Sequence, residues 1–244
     1  MTTEAETAPS DDRPGGRGVL TFLRDVVIII VIAAVVSMLI KAFVVRSFYI
    51  PSASMEDTLM TDDRILVDEL TVNWTGYERG DVIVFADPGG WLPDPDGDTP
   101  GGLAGAMNWL LTAIGVSAAD SEEHLVKRLI ALPGDHVECC NALGQLTVNG
   151  AGVDELDYLR LPDGSTRASM TDFDVVVPDN AVWVMGDNRN RSQDSRYHDT
   201  QPGGGFVPLD KVVGRVVLRT WPLSHFGPLD DRTPAFTGVP ESDR

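Results

Sequence analysis

Three stretches of this chain bring together residue types that could do chemistry: Ser52-Ala53-Ser54-Met55, Val126-Lys127-Arg128, and Gly186-Asp187-Asn188-Arg189 with Ser192, Asp194 and Arg196 behind it. A serine hydroxyl becomes a nucleophile when an adjacent base takes its proton, and a lysine can be that base only while neutral. Of the 19 basic residues only Lys41, Lys127 and Lys211 are lysine. A buried lysine can lose its proton, whereas an arginine keeps its charge. Leu125, Val126, Leu129 and Ile130 surround Lys127 in sequence with apolar groups that disfavour an ammonium. Taken singly, each stretch also has a bland reading: a loop with two serines, a lysine opening a strand, a polar turn closing a hairpin.

The rest of the composition narrows the chemistry. A formal net charge of −18 over 244 residues, with no basic stripe, argues against a nucleic acid partner. Cys139 and Cys140 are adjacent and have no Cys or His partner at metal-ligand spacing, so no metal site is expected; whether they are bonded or free stays open. His124, His136, His198 and His225 are scattered and read as ordinary surface or core histidines.

The elements that must position these residues divide the chain. Val26–Ile40 is almost wholly apolar and Ala42–Val45 extends it past Lys41, giving about 20 residues, the length of a bilayer-spanning helix. A buried core helix and a cleaved signal peptide are the competing readings. The first is disfavoured by an apolar surface all the way round, the second by Lys41 and Arg46 before any cleavage site. The expectation is therefore a transmembrane anchor over 25–45, preceded by a disordered cytoplasmic tail over 1–24. The arginines before the anchor favour that orientation only slightly over Lys41 and Arg46 behind it.

From Ile65 the pattern changes to short β-type runs. They are Arg64–Val67, Asp81–Phe85, Gln145–Val148, Phe173–Val177, Ala181–Met185 and Lys211–Leu218, separated by Gly, Pro, Asn and Asp clusters. This predicts a mainly β, antiparallel body over 46–226, interrupted by an insertion at about 87–123. Within the insertion, Leu103–Val116 reads as a helix that either packs on the sheet or lies in a membrane interface. Residues 227–244 read as a flexible tail.

The set as a whole resembles the bacterial type I signal peptidases. After the anchor come Ser52-Ala53-Ser54-Met55-Glu56-Asp57-Thr58-Leu59, Arg79-Gly80-Asp81 leading a strand, Lys127-Arg128 running to Pro133-Gly134-Asp135, and Gly186-Asp187-Asn188-Arg189 running to Asp194-Ser195-Arg196. All five pieces stand in that family's order. The resemblance implies a signal-peptidase-like fold and a membrane-bound serine endopeptidase that works without cofactor or metal. Its partners would be the signal peptides of exported preproteins and the lipid bilayer, with the catalytic body on the extracytoplasmic face.

The resemblance also implies roles. Ser54 is the nucleophile and Lys127 the general base. Ser52 lends its hydroxyl to the oxyanion hole, Ser192 orients the lysine, and Asp187, Arg128, Asp194 and Arg196 hold the site together. Phe48, Ile50, Met55 and Leu59 line the apolar pockets for small substrate residues. Lysine at position 127, where eukaryotic-type relatives carry histidine, places the chain with the bacterial branch. Departures from the pattern are Ala53 for the common Gly, Asp57 for the usual Pro, and Asn190-Arg191 for Asp-Asn. Asp57 is expected to raise the lysine pKa or alter substrate preference. A tethered β module without activity is the rival from another class.

Overall fold

The computed structural model describes residues 17–43, 45–92, 123–229 and 233–242. Most of the expected N-terminal tail, and the helix expected at 103–116, lie outside the described residues. Two compact units divide the chain at Ala42/Phe43.

The first unit carries α1, Arg17–Phe43, a helix of 27 residues whose described apolar side chains from Phe22 to Val36 are mostly exposed. Among the described residues no helix is long and apolar enough to cross a membrane. The expected anchor runs to residue 45, and the side chains of its last part, 37–45, lie outside the described ones.

The second unit is a β body. Its strands are β1 (Val45–Tyr49), β2 (Arg64–Asp68), β3 (Val82–Ala86), β4 (His124–Ala131), β5 (His136–Cys139), β6 (Leu146–Val148), β7 (Ala151–Gly152), β8 (Phe173–Val176), β9 (Ala181–Met185), β10 (Val207–Pro208), β11 (Val212–Trp221) and β12 (Gly227–Pro228). The larger sheet runs β1-β2-β11-β3-β4-β9-β10 with β12 on β11, and the smaller runs β7-β6-β5-β8. Every pairing between these strands is antiparallel. The six runs read from sequence all fall on strands. The central ones, β3 and β9, are continuous apolar runs with nearly every residue buried. Half-covered β8 alternates between intermediate and exposed residues, as a period of two requires. Val45 belongs to β1, so the sheet begins where the apolar continuity of the sequence suggested the anchor's last residue.

Apolar clusters hold the body together. One joins Val137, Leu146 and Val148 of the small sheet to Trp183 and Met185 of β9. A second gathers Phe48, Ile50, Met55 and Leu59 against Ile65, Val67 and Val82, with Val126 beside them. The C-terminal stretch corrects the expectation of a flexible tail. Gly227–Pro228 pairs with β11, Phe236 is buried in the first cluster, and the Pro240 carbonyl accepts from Asn149 Nδ2 at 2.8 Å. Burying one phenylalanine stabilises by roughly 1.5–3 kcal/mol, enough to pin a short segment that has no apolar period of its own. Cys139 and Cys140, at the end of β5, are joined in a disulfide.

Candidate active site

Ser54 lies in the connection from β1 to β2. Hydrogen bonds from Ile50 N to Asp63 O (2.9 Å) and from Asp62 N to Ile50 O (3.0 Å) pinch this loop at its base. The buried side chains of Ile50, Met55 and Leu59 anchor it in the core. Ala53–Met55 form a 3-10 turn, and the N–H groups at the start of such a turn have no acceptor within it. The Ser54 carbonyl is tied to the opposite wall by Asn188 N at 3.0 Å.

Lys127 comes from the middle of β4, where it pairs across β3 with Ile83. It is 3% exposed. Its Nζ donates to Ser54 Oγ at 2.8 Å and to the Val126 carbonyl at 3.0 Å. Burial of the ammonium lowers the lysine pKa to about 8; Asp194 and Asp187 pull it upward and Arg196 pushes it down. Ser52 Oγ lies 3.2 Å from Ser54 Oγ.

Side chains alternate along a strand, so Arg128 points to the other face of β4 from Lys127. Its guanidinium is fully buried and grips Asp187 with two bonds, Nε to Oδ1 at 2.8 Å and Nη2 to Oδ2 at 2.6 Å. Nη1 donates to the Gly80 carbonyl at 2.6 Å. Thr58 Oγ1 donates to Asp187 Oδ2 at 2.5 Å, which ties the serine loop to this pair. Asp194 is gripped in the same way by Arg196, Nε to Oδ1 and Nη2 to Oδ2, both at 2.8 Å. Burial opposes ionisation of Asp194, but this fork and the Gly186 N–H hold its carboxyl below the usual carboxylate range. The four supporting residues read from sequence thus form two bidentate pairs flanking the Ser54–Lys127 contact.

Ser192 is placed differently from its expected role. Its Oγ is buried with no hydrogen bond of ordinary geometry, so the bond to Lys127 is not formed here. It lies close enough to Asp194 to help keep that carboxylate ionised. It also packs on Gly186: a Cβ at that glycine would stand 2.3 Å from Ser192 Oγ and 2.5 Å from the Ser54 carbonyl oxygen.

Asp57 does not reach the lysine. It pairs with the half-exposed Arg160 at 3.2 Å, and Arg160 also lies 3.4 Å from Glu56. Asp57 adopts φ 80°, in the left-handed region. A proline there is fixed near about −65°. Asp57→Pro is therefore expected to force the loop to rearrange, at a cost on the order of 1–3 kcal/mol. Thermal unfolding of the two proteins side by side checks this.

Sequence reasoning missed a third buried pair. Glu155 takes Arg189 Nη2 at 2.6 Å and Nη1 at 3.1 Å, and Tyr158 OH donates to the same carboxylate at 2.5 Å. Thr58 was missed as well. Its sign in the sequence was a hydroxyl directly after an acidic pair, which is too common to stand out. Among the described residues no group of three or more His, Cys, Asp or Glu side chains is placed to hold a metal ion.

A buried lysine touching a serine hydroxyl, between two clamped ion pairs on an antiparallel β body, is an arrangement that suits a serine peptidase. Residues 23–221 match the family described as signal peptidase, peptidase S26, and the chain belongs to that family. Signal peptidase I of Mycobacterium tuberculosis is 37% identical, covering 92% of this chain and 80% of its own. Signal peptidase I S of Bacillus subtilis is 36% identical over 80% of this chain and 88% of its own. A crystal structure of a signal peptidase I from Enterococcus faecalis is 27% identical over 57% of this chain and 95% of that one; its TM-score of 0.35 is too low for comparing site geometry. The chain is a serine endopeptidase of the family that removes signal peptides from preproteins.

Proposed function

We propose that this enzyme cuts signal peptides by acyl transfer through Ser54, with Lys127 as general base. The observation that carries the reading is the 2.8 Å contact between Lys127 Nζ and Ser54 Oγ at a buried position. Neutral Lys127 takes the hydroxyl proton as Oγ attacks the scissile carbonyl. The oxyanion forms where the Ser54 N–H and the Ser52 hydroxyl can donate to it. A single donor of this kind is worth about 2.7–4 kcal/mol in the transition state. The lysinium then protonates the leaving amine of the mature protein, and the same lysine, neutral again, activates the water that frees Ser54. Ser192, Asp187, Arg128, Asp194 and Arg196 keep the geometry, and Phe48, Ile50, Met55 and Leu59 supply the apolar wall for the small residues before the cut.

Residues 25–45 serve as a single-pass anchor, with the tail before it in the cytoplasm and the β body on the extracytoplasmic face. Support comes from the apolar run Val26–Ile40 and from its outward-facing Ile28–Ile32 side chains. A site that begins nine residues past the anchor, at Ser54, suits a substrate that is itself held in the bilayer by its apolar core.

The test is cleavage, in detergent or lipid, of a preprotein carrying an Ala-x-Ala site. Wild type is expected to cut it, and Ser54→Ala to fall by at least about 10³-fold. Undiminished cutting by Ser54→Ala would refute the assignment of the nucleophile.

A further inference from the structure

We infer that Glu155 is a positioning residue for the site: through Arg189 it fixes the Gly186 peptide, the wall on which Ser192 and the Ser54 carbonyl both rest. The inference rests on the proposed Ser54–Lys127 chemistry and adds Glu155, which none of the site motifs contains.

Glu155 follows β7, in the segment that leaves the small sheet and returns beside the Asp187–Arg189 loop. There Arg160 N donates to Asp187 O at 3.0 Å and Arg189 N to Arg160 O at 3.3 Å. Glu155 is 2% exposed and Arg189 is 3% exposed. The carboxylate grips one side of the guanidinium with two bonds, a pairing whose geometry also fixes orientation. Held this way, Arg189 directs Nε to the Gly186 carbonyl at 3.0 Å and Nη1 to the Ala168 carbonyl at 2.9 Å. The other side of Gly186 is held too, by its N–H on Asp194 Oδ2 at 2.9 Å. Ser192 and the Ser54 carbonyl leave no room for even a Cβ on Gly186, so displacement of its peptide toward them disturbs both.

The same carboxylate reaches the second ion pair. Tyr158, which donates to Glu155, lies with its ring 4.2 Å from the Arg128 guanidinium carbon. Arg128 in turn holds Asp187 and Thr58. One acid from the small sheet's side of the body is thus linked to both arms of the frame around the dyad, through Arg189 to Gly186 and through Tyr158 to Arg128.

Stability alone does not call for this arrangement. Replacing a buried ion pair with apolar side chains of similar volume is often neutral or stabilising, whereas removing one partner is costly. What an apolar pair cannot supply is the directed bond from Arg189 to the Gly186 carbonyl. That difference separates positioning from packing.

The full chain would be prepared as wild type, Glu155→Gln, the double variant Glu155→Met/Arg189→Met, and Ser54→Ala. Thermal midpoint, kcat and KM would be measured for each on the Ala-x-Ala preprotein. The double variant is expected to unfold within a few degrees of wild type, with kcat lowered at least about tenfold and KM changed less than about threefold, as for a misplaced reacting group. Glu155→Gln, which keeps an acceptor but loses the charge, should show the same split to a smaller degree. A folded double variant with wild-type kcat overturns the inference and leaves the dyad standing. If the double variant does not fold, Glu155→Gln decides: folded with wild-type kcat, it overturns the inference. Failure of wild type to cut, or cutting by Ser54→Ala, removes the dyad and this inference together.

Discussion

Lys127→Met is expected to be dead as a peptidase and yet more stable than the wild type at neutral pH. Removing the base should lower kcat by about 10²–10⁴-fold or more. The stability gain follows from the cost of keeping an ammonium in this site. The lysine pKa falls from 10.5 to about 8 on folding, chiefly through burial. Between those values the unfolded chain binds the proton that the folded one has lost, so stability rises as pH climbs from about 8 to 10.5. Below about pH 8 the fold carries the full cost of the buried charge. Methionine removes that cost and also loses the bonds to Ser54 and Val126, for a net gain of about 1–3 kcal/mol at pH 7. Chemical denaturation at pH 7 and pH 10 checks this, and the gap between the two proteins should shrink at the higher pH. The same titration sets the rate. The wild-type kcat/KM should rise with pH and level off above about 8. A profile flat from pH 6 to 9 would argue against a lysine base of this pKa.

Gly186→Ala should nearly abolish activity by a different route. The added methyl would stand 2.3 Å from Ser192 Oγ, 2.5 Å from Ser192 Cβ and 2.5 Å from the Ser54 carbonyl oxygen. One of these atoms is backbone of the nucleophile itself, and the peptide of Gly186 is held at both its N–H and its carbonyl. Something must move, and each candidate belongs to the site. Overpacking of this kind costs about 1–3 kcal/mol in stability. A shift near 1 Å in a reacting group lowers the rate by about 10²-fold. Gly227→Ala is the control, since nothing lies within 4 Å of a Cβ there. Comparable kcat for the two variants would mean that the wall yields without disturbing Ser54.

The reading of the sequence succeeded where local pattern and fold agree. Runs such as Asp81–Phe85 and Ala181–Met185 are apolar, β-branched and bounded by turn residues, and they became the buried strands β3 and β9. The serine, the lysine and the two ion pairs were legible because the apolar run and four short motifs after it stand in one family's order. None was legible from its own residues. Glu155 was out of reach, since Asp154-Glu155-Leu156-Asp157-Tyr158 looks like a solvated acidic stretch and only the fold turns Glu155 inward onto Arg189. Asp57 misled for the opposite reason. It lies three residues from Ser54, yet its side chain points away to Arg160, and the acids that act on Lys127 are Asp194 and Asp187, distant in sequence. Phe236 is a single aromatic among Pro, Gly, Thr and Asp, and burial of one side chain leaves no period to read.

The place of β11 in the larger sheet decides what holds the two halves of the site in one frame. The serine loop hangs from β1 and β2, and the lysine sits on β4 beside β3. In the sheet β2 and β3 are not neighbours; each pairs with β11, the last long strand among the described residues. A nascent chain translated as far as Arg196 already holds Ser54, Lys127 and both clamping pairs, but lacks the strand that makes one sheet of the two halves. β11 therefore joins the half of the sheet that carries the serine loop to the half that carries the lysine.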